Sequence, residues 1–260
     1  MLKVQTRALS LVLLSAFLLA GNGCATQREG GRAPDRSASA PAIVAATATP
    51  APAPLTWDEV ARSYERVRDY VCLYEKEERA ISHGESQTIR LSFRQPFDVR
   101  MDWLNARGEV DQTAVYRAGA NDGKVLARQK GFMGGLLGTL RLDPNESLAL
   151  ADSRHPVTEV GLGKIIEHAQ RDASNPQITS HFVGEEALDG RPAYKFEFAA
   201  QNNEPVLGLP DARTALIWVD RELKLPVKLE LYDAANALVE RHRFKAVRVN
   251  VKLTDKTFTL

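Results

Sequence analysis

The chain has 260 residues, of which 44% are hydrophobic and 26% charged, with 34 Lys and Arg against 33 Asp and Glu. Those proportions belong to a globular protein and exclude a disordered chain or one that spans a membrane many times. A formal charge of +1 without a basic stripe also excludes the electrostatic footprint of a nucleic-acid binder.

Lys3 and Arg7 precede an apolar run from Ala8 to Ala20, and small residues follow as far as Cys24. A charged head, a short apolar core and a small-residue exit predict a secretory signal over residues 1–23. The run is too short to cross a hydrocarbon layer, which takes about 20 apolar residues. Leu19-Ala20-Gly21-Asn22-Gly23-Cys24 resembles a bacterial lipobox, which implies that Cys24 is acylated and becomes the first mature residue. The alternative is ordinary cleavage after Ala25, releasing a soluble periplasmic protein. With Cys24 acylated, Cys72 has no disulfide partner, and its apolar neighbours Val71 and Leu73 predict a buried thiol.

Residues 24–54 comprise that cysteine and a tether holding five of the 13 prolines. Such a segment favours extended polyproline II backbone and cannot bury enough apolar surface to fold. The folded domain is therefore placed at 55–260. It begins with a helix after Thr56, a suitable N-cap, with Asp58 and Glu59 in the dipole-favoured first turn.

From Tyr70 the pattern turns to period two. Strands are predicted at 70–80, 86–95, 98–105, 111–118 and 123–129, separated by turn signals at His83-Gly84, Pro96, Asn105-Ala106-Arg107-Gly108 and Asn121-Asp122-Gly123. Helices are predicted at 145–151 and 158–173, the second with an apolar stripe of Val160, Ile165, Ile166 and Ala169. Further strands follow at 177–188, 192–200, 213–220, 225–233 and 237–251. Short turns between consecutive strands make neighbours antiparallel. The fold class is thus α+β, with one large curved antiparallel sheet and helices over its concave side.

Reactive constellations are scarce. Arg154, His155 and Glu159 lie within Ser153-Arg154-His155-Pro156-Val157-Thr158-Glu159 and could serve acid–base or hydrolytic chemistry. The same residues read more simply as a helix start, with Thr158 as the cap and Glu159 in the first turn. His83, His155, His168, His181 and His242 show no zinc-site spacing, and Gly161-Leu162-Gly163 lacks the third glycine of a dinucleotide fingerprint. No catalytic residue, metal site or cofactor is therefore assigned. The Glu75, Glu77, Glu78 run reads as a solvated strand end with cross-strand basic partners.

Several segments together are similar to a bacterial family known as domain-of-unknown-function family 1571. They are Tyr70-Val-Cys72-Leu-Tyr-Glu-Lys-Glu-Glu78, Phe93-Arg-Gln-Pro96-Phe-Asp-Val99, Asn121-Asp-Gly-Lys124 and Ser153-Arg-His-Pro-Val-Thr-Glu-Val-Gly161, within residues 57–257. That family resembles the lipoprotein-sorting superfamily of LolA and LolB. The resemblance implies an open β half-barrel, lidded by helices, around a lipid-binding cavity.

The sequence reading is a non-enzymatic lipoprotein, anchored through Cys24 to the periplasmic face of the outer membrane, that binds lipid, acyl chains or another apolar ligand. Phe93, Met101, Trp103, Phe196 and Trp218 are the candidate cavity wall, and Phe132, Met133 and Leu136 of the Gly131–Gly138 run a candidate lid. A structural or partner-binding domain with a packed interior is the alternative.

Overall fold

The structure is a computed structural model that describes residues 54–82, 86–129 and 138–260. The signal, Cys24, most of the tether, the His83-Gly84 turn and the loop carrying Phe132, Met133 and Leu136 lie outside the described residues. No described helix is long and apolar enough to cross a membrane.

Among the described residues eleven strands form one antiparallel sheet. They are β1 (Asp69–Glu78), β2 (Gln87–Arg94), β3 (Asp98–Leu104), β4 (Val110–Arg117), β5 (Val125–Gln129), β6 (Leu140–Leu142), β7 (Ile178–Leu188), β8 (Arg191–Ala200), β9 (Thr214–Asp220), β10 (Pro226–Tyr232) and β11 (Leu238–Val249). The spatial order is β6-β5-β4-β3-β2-β1-β11-β10-β9-β8-β7. Two meanders, β1 to β6 and β7 to β11, therefore meet where β1 pairs with β11, and the sheet stays open at β6 and β7. The ten expected strands are all present. The three-residue β6 was not anticipated because it is too short to display an alternation.

Helix α1 (Trp57–Tyr64) starts at the expected cap, where the Thr56 side chain accepts from the Glu59 N–H and the Glu59 carboxylate accepts from the Thr56 N–H. A single turn, α2 (Arg79–Ser82), follows β1, and α3 (Leu162–Ala173) follows the first meander. Two helical expectations need correction. Residues 145–151 form turns rather than a helix. Leu148 there is 58% exposed, so little apolar burial supports a segment too short to be helical alone. Helix α3 begins at Leu162, and Thr158 lies in a separate 3₁₀ turn (Val157–Glu159) without capping anything. The break falls at Val160 and Gly161, which are extended and at φ 113° respectively.

That break is forced by packing. A Cβ at Gly161 would lie 2.8 Å from the Tyr70 hydroxyl, which itself accepts a hydrogen bond from the Leu162 N–H at 3.1 Å. At Gly163 a Cβ would lie 2.7 Å from the Tyr64 ring, so α1 and α3 approach where glycine leaves room. Both helices lie on one face of the sheet, over a core that includes Tyr70, Phe93, Leu162, Ile166, Phe196 and Phe198.

Gly161→Ala should therefore be more damaging than Gly119→Ala. Gly119 also has positive φ but nothing within 4 Å of a built Cβ. Positive φ costs about 1–3 kcal/mol at either position, and the collision with Tyr70 adds about 1–3 kcal/mol at Gly161 alone. Urea unfolding of the two variants measures the difference; equal losses would show that the Tyr70 contact relaxes freely.

Candidate functional site

In the β1–β11 pairing Tyr74 faces Phe244, Lys76 faces His242 and Glu78 faces Glu240. Side chains alternate along a strand, so these six share the inner face. On the outer face Glu75 pairs with Lys245 at 2.6 Å and Glu77 with Arg241 at 2.8 Å, as the sequence predicted for that acidic run. Glu78 departs from the expectation, because it turns inward and is 1% exposed, while Glu240 opposite it is fully buried.

Two buried carboxylates in directly opposed positions destabilise a sheet unless cations reach them. Lys76 supplies one, with Nζ 3.3 Å from Glu78 Oε1. His242 of β11 supplies a partner for Glu240, and further groups come from the strap, residues 143–161, which runs from β6 to α3. The Arg154 N–H donates to Glu78 Oε2 at 2.8 Å, and the Ser153 hydroxyl lies 3.3 Å from Glu78 Oε1. Lys76 Nζ donates to the Asp152 carbonyl at 2.8 Å. The Arg154 guanidinium bridges Asp211, at 2.9 Å, and Glu240 Oε1, at 3.3 Å. His155 Nε2 and His242 Nε2 both contact Glu240 Oε2, at 2.9 and 3.0 Å, and Tyr74 Oη lies 2.7 Å from His242 Nδ1.

These contacts set the charge states. Burial raises the Glu240 carboxyl, but the hydrogen bonds from His155 and His242 outweigh it and hold the group well below the usual carboxylate range. Burial lowers the His155 imidazole, and Glu240 more than reverses that. Lys76 is pulled below the usual lysine range by burial, against the attraction of Glu78.

Between strap and sheet a cavity of about 160 Å³ remains. Over β3 to β6 its wall is mainly apolar, built from Met101, Trp103, Ala114, Val125, Ala127 and Leu142 with Gln112 as a polar member, and Leu229 and Leu231 are contributed by β10. Over β1 and β11 the wall is polar, with Lys76, Glu78, Glu240 and His242 joined by His155 from the strap. The exposed Leu148 also lines it, which places an apolar side chain of the strap at an opening to solvent.

The cavity gathers some of the predicted wall residues and not others. Met101 and Trp103 line it. Phe93 shares their face of the sheet but stacks on Tyr70 at 5.1 Å, and Phe196 packs against Trp57 at 5.4 Å; both are core beneath the helices rather than cavity wall. Trp218 points to the opposite face, since its neighbours Ile217 and Val219 are the inward ones. There it is held between Lys228 and Lys195, 3.9 and 4.8 Å from the ring centre, with its Nε1–H on Glu186. Arg154, His155 and Glu159 do not assemble as one reactive group: Glu159 lies beside Lys164 and His168, at 3.8 and 3.9 Å, and not beside His155. Glu240, His242 and Tyr74 were missed, because the β1–β11 pairing brings Tyr74 to His242 across 168 positions and the strap brings His155 to Glu240 across 85.

The family described as protein of unknown function DUF1571 matches residues 67–260. The chain belongs to this family. No curated protein matches the chain. Among solved structures it is similar to MucB in the Pseudomonas aeruginosa MucA/MucB complex, with 19% identity, a TM-score of 0.47 and coverage of 78% of this chain and 59% of that one. In a second MucB structure the match again spans only 61% of that chain. It is also similar to the Mycobacterium tuberculosis lipoprotein LppX, with 11% identity, a TM-score of 0.44 and coverage of 75% and 93%. A LolA superfamily protein from Nitrosomonas europaea matches at 12% identity and TM-score 0.30, covering 79% and 98%.

Glu78→Gln keeps an acceptor for the Arg154 N–H but leaves Lys76 without its opposite charge, and should cost about 3–5 kcal/mol of stability. Lys76→Met combined with Glu78→Gln should recover most of that loss. Chemical unfolding of single and double variants checks this, and equal losses would exclude charge pairing as the reason for the cost.

Proposed function

We propose that this family member is a non-enzymatic envelope lipoprotein whose cavity binds a slender amphiphile, with an acyl chain or similar apolar group against Met101 and Trp103 and a polar group toward His155. The supporting observation is the division of one cavity into an apolar wall over β3 to β6 and a polar wall over β1 and β11. A packed structural domain would have no reason to keep such a space beside Met101, which is only 5% exposed. Its size limits the ligand: a comparable apolar cavity of ~150 Å³ takes a single benzene-sized guest, so one chain end fits and a bundle of acyl chains does not. Location at the periplasmic face of the outer membrane, through a lipid on Cys24, completes the proposal and rests on the signal and lipobox-like exit.

Titration with a fluorescent single-chain fatty acid tests the cavity. Saturable binding should quench or shift Trp103 emission, and Trp103→Phe should remove that change. Met101→Gln should weaken binding about tenfold, the equivalent of roughly 1.4 kcal/mol for an amide placed in an apolar wall, with a modest loss of stability. Phe196→Gln should instead unfold the domain, because Phe196 is core. Absence of saturable binding to the unaltered protein would remove the ligand-carrier reading.

The anchor is tested separately. Cys24→Ser should move the protein from the membrane fraction to the soluble fraction or leave its signal uncleaved. Unchanged fractionation and processing would leave a protein exported without a lipid.

A further inference from the structure

The convergence of His155, Glu240 and His242 differs from an ordinary buried ion pair, because two imidazole Nε2 atoms address the same carboxylate oxygen. The three ligand atoms all lie within 4.8 Å of one another. All three residues line the cavity, so the point they surround is reachable from its interior. Glu240 is fully buried, and its other oxygen, Oε1, accepts no hydrogen bond although Arg154 lies 3.3 Å away. That oxygen faces the Arg154 guanidinium, so the site is carried by the meeting of the two Nε2 atoms at Oε2.

From this arrangement we infer that His155, Glu240 and His242 form a binding site for a divalent transition-metal ion, best suited to Zn²⁺, with an open coordination position facing the cavity. Two imidazoles and one carboxylate are a donor set that zinc accepts when it keeps a fourth position for water or another ligand. Ligand atoms about 2.1 Å from a tetrahedral zinc lie about 3.4 Å apart, so the 2.9 and 3.0 Å contacts would open by a few tenths of an ångström while the two Nε2 atoms, within 4.8 Å of one another, settle to the same spacing. The strap can make that adjustment, since the His155 side chain is 35% exposed. Tyr74 Oη, 2.7 Å from His242 Nδ1, fixes the ring so that Nε2 faces the site, the usual supporting contact behind a metal-bound histidine. Arg154 stays on the Oε1 side of Glu240, which leaves Oε2 as the single carboxylate donor. Bound Zn²⁺ would need both Nε2 atoms free of protons: His155 would release its Nε2 proton to solvent, and neutral His242 would take the tautomer that carries its single proton on Nδ1, donated to Tyr74 Oη. The inference uses the polar wall alone and does not depend on what the apolar wall holds.

The test uses the full chain, stripped with chelator and titrated with Zn²⁺ against a chromophoric competitor, with Co²⁺ as a spectroscopic substitute. One equivalent of Zn²⁺ should bind with micromolar or tighter affinity, and Co²⁺ should give the intense visible bands of a four-coordinate ion. His155→Ala and His242→Ala should each weaken binding at least tenfold to a hundredfold, and His181→Ala, on β7 away from the cavity, should leave it unchanged. If His242→Ala fails to fold, His155→Ala on the strap decides the matter by itself. No stoichiometric binding, or binding that His155→Ala leaves intact, overturns the site and shows the three residues to be a closed hydrogen-bonded group. Fatty-acid binding measured in the same variants separates this outcome from failure of the carrier reading.

Discussion

The opposed carboxylates of Glu78 and Glu240 govern the arrangement of everything around them. Cross-strand pairing of β1 and β11 sets them face to face on the buried side of the sheet. Two such charges in a medium of low polarity are untenable without counter-charges and hydrogen bonds. Lys76 and His242 lie on the paired strands themselves, but two further partners, Arg154 and His155, belong to the strap. Neutralising the pair therefore requires the strap to cross the sheet at this place. The strap in turn delivers Gly161 and Leu162 to Tyr70 and sets the start of α3. A replacement of all these groups by hydrocarbon could be as stable, so the polar cluster is better understood as fixing where the strap docks than as a net source of stability.

Because the strap is held by its polar residues, the space beneath it need not be filled. Away from the polar cluster on β1 and β11 the inner face of the sheet is apolar, yet it is covered in two ways. Helices α1 and α3 press directly onto Phe93, Phe196 and Phe198, with glycine at their crossing to allow close approach. The strap stands off from Met101 and Trp103, and the gap becomes the cavity. The loop from Val206 to Leu209 contributes to the same enclosure: Leu207 and Leu209 line the cavity, and the Leu207 N–H is tied to Asp172 of α3 at 2.6 Å. One wall of the cavity is therefore largely apolar and the other charged, the division on which the proposed binding of an amphiphile rests.

The outer face follows a different logic. Glu75, Glu77, Lys245 and Arg241 alternate in sign across the β1–β11 seam, and Trp218 is shielded by two lysine side chains. Such pairs contribute little stability each where water reaches them, but they keep the convex side of a wide open sheet soluble. The sheet's free edges, β6 and β7, differ in length, three residues against eleven.

The sequence alone determined the sheet-dominated class, ten of the strands and the capped start of α1. Those features rest on local rules: alternation of apolar residues, turn residues that tolerate positive φ, and a side chain that caps its own helix. The similarity to DUF1571 was likewise carried by contiguous segments. Tertiary structure alone decided which apolar residues are core and which line a cavity, since Phe93, Met101, Trp103 and Phe196 have the same alternating pattern and differ only in whether a helix or the strap covers them. It also decided that Trp218 faces outward, that Glu78 is buried while Glu75 and Glu77 are not, and that His155 meets Glu240 and His242. The burial of Glu78 opposite Glu240 follows from register between β1 and β11, strands separated by about 170 residues, whereas the orientation of Trp218 is set by the pairing of β9 with β8 and β10 and the His155 contacts by the path of the strap. Register is set by the summed burial of a whole face, and no short window of sequence contains that sum.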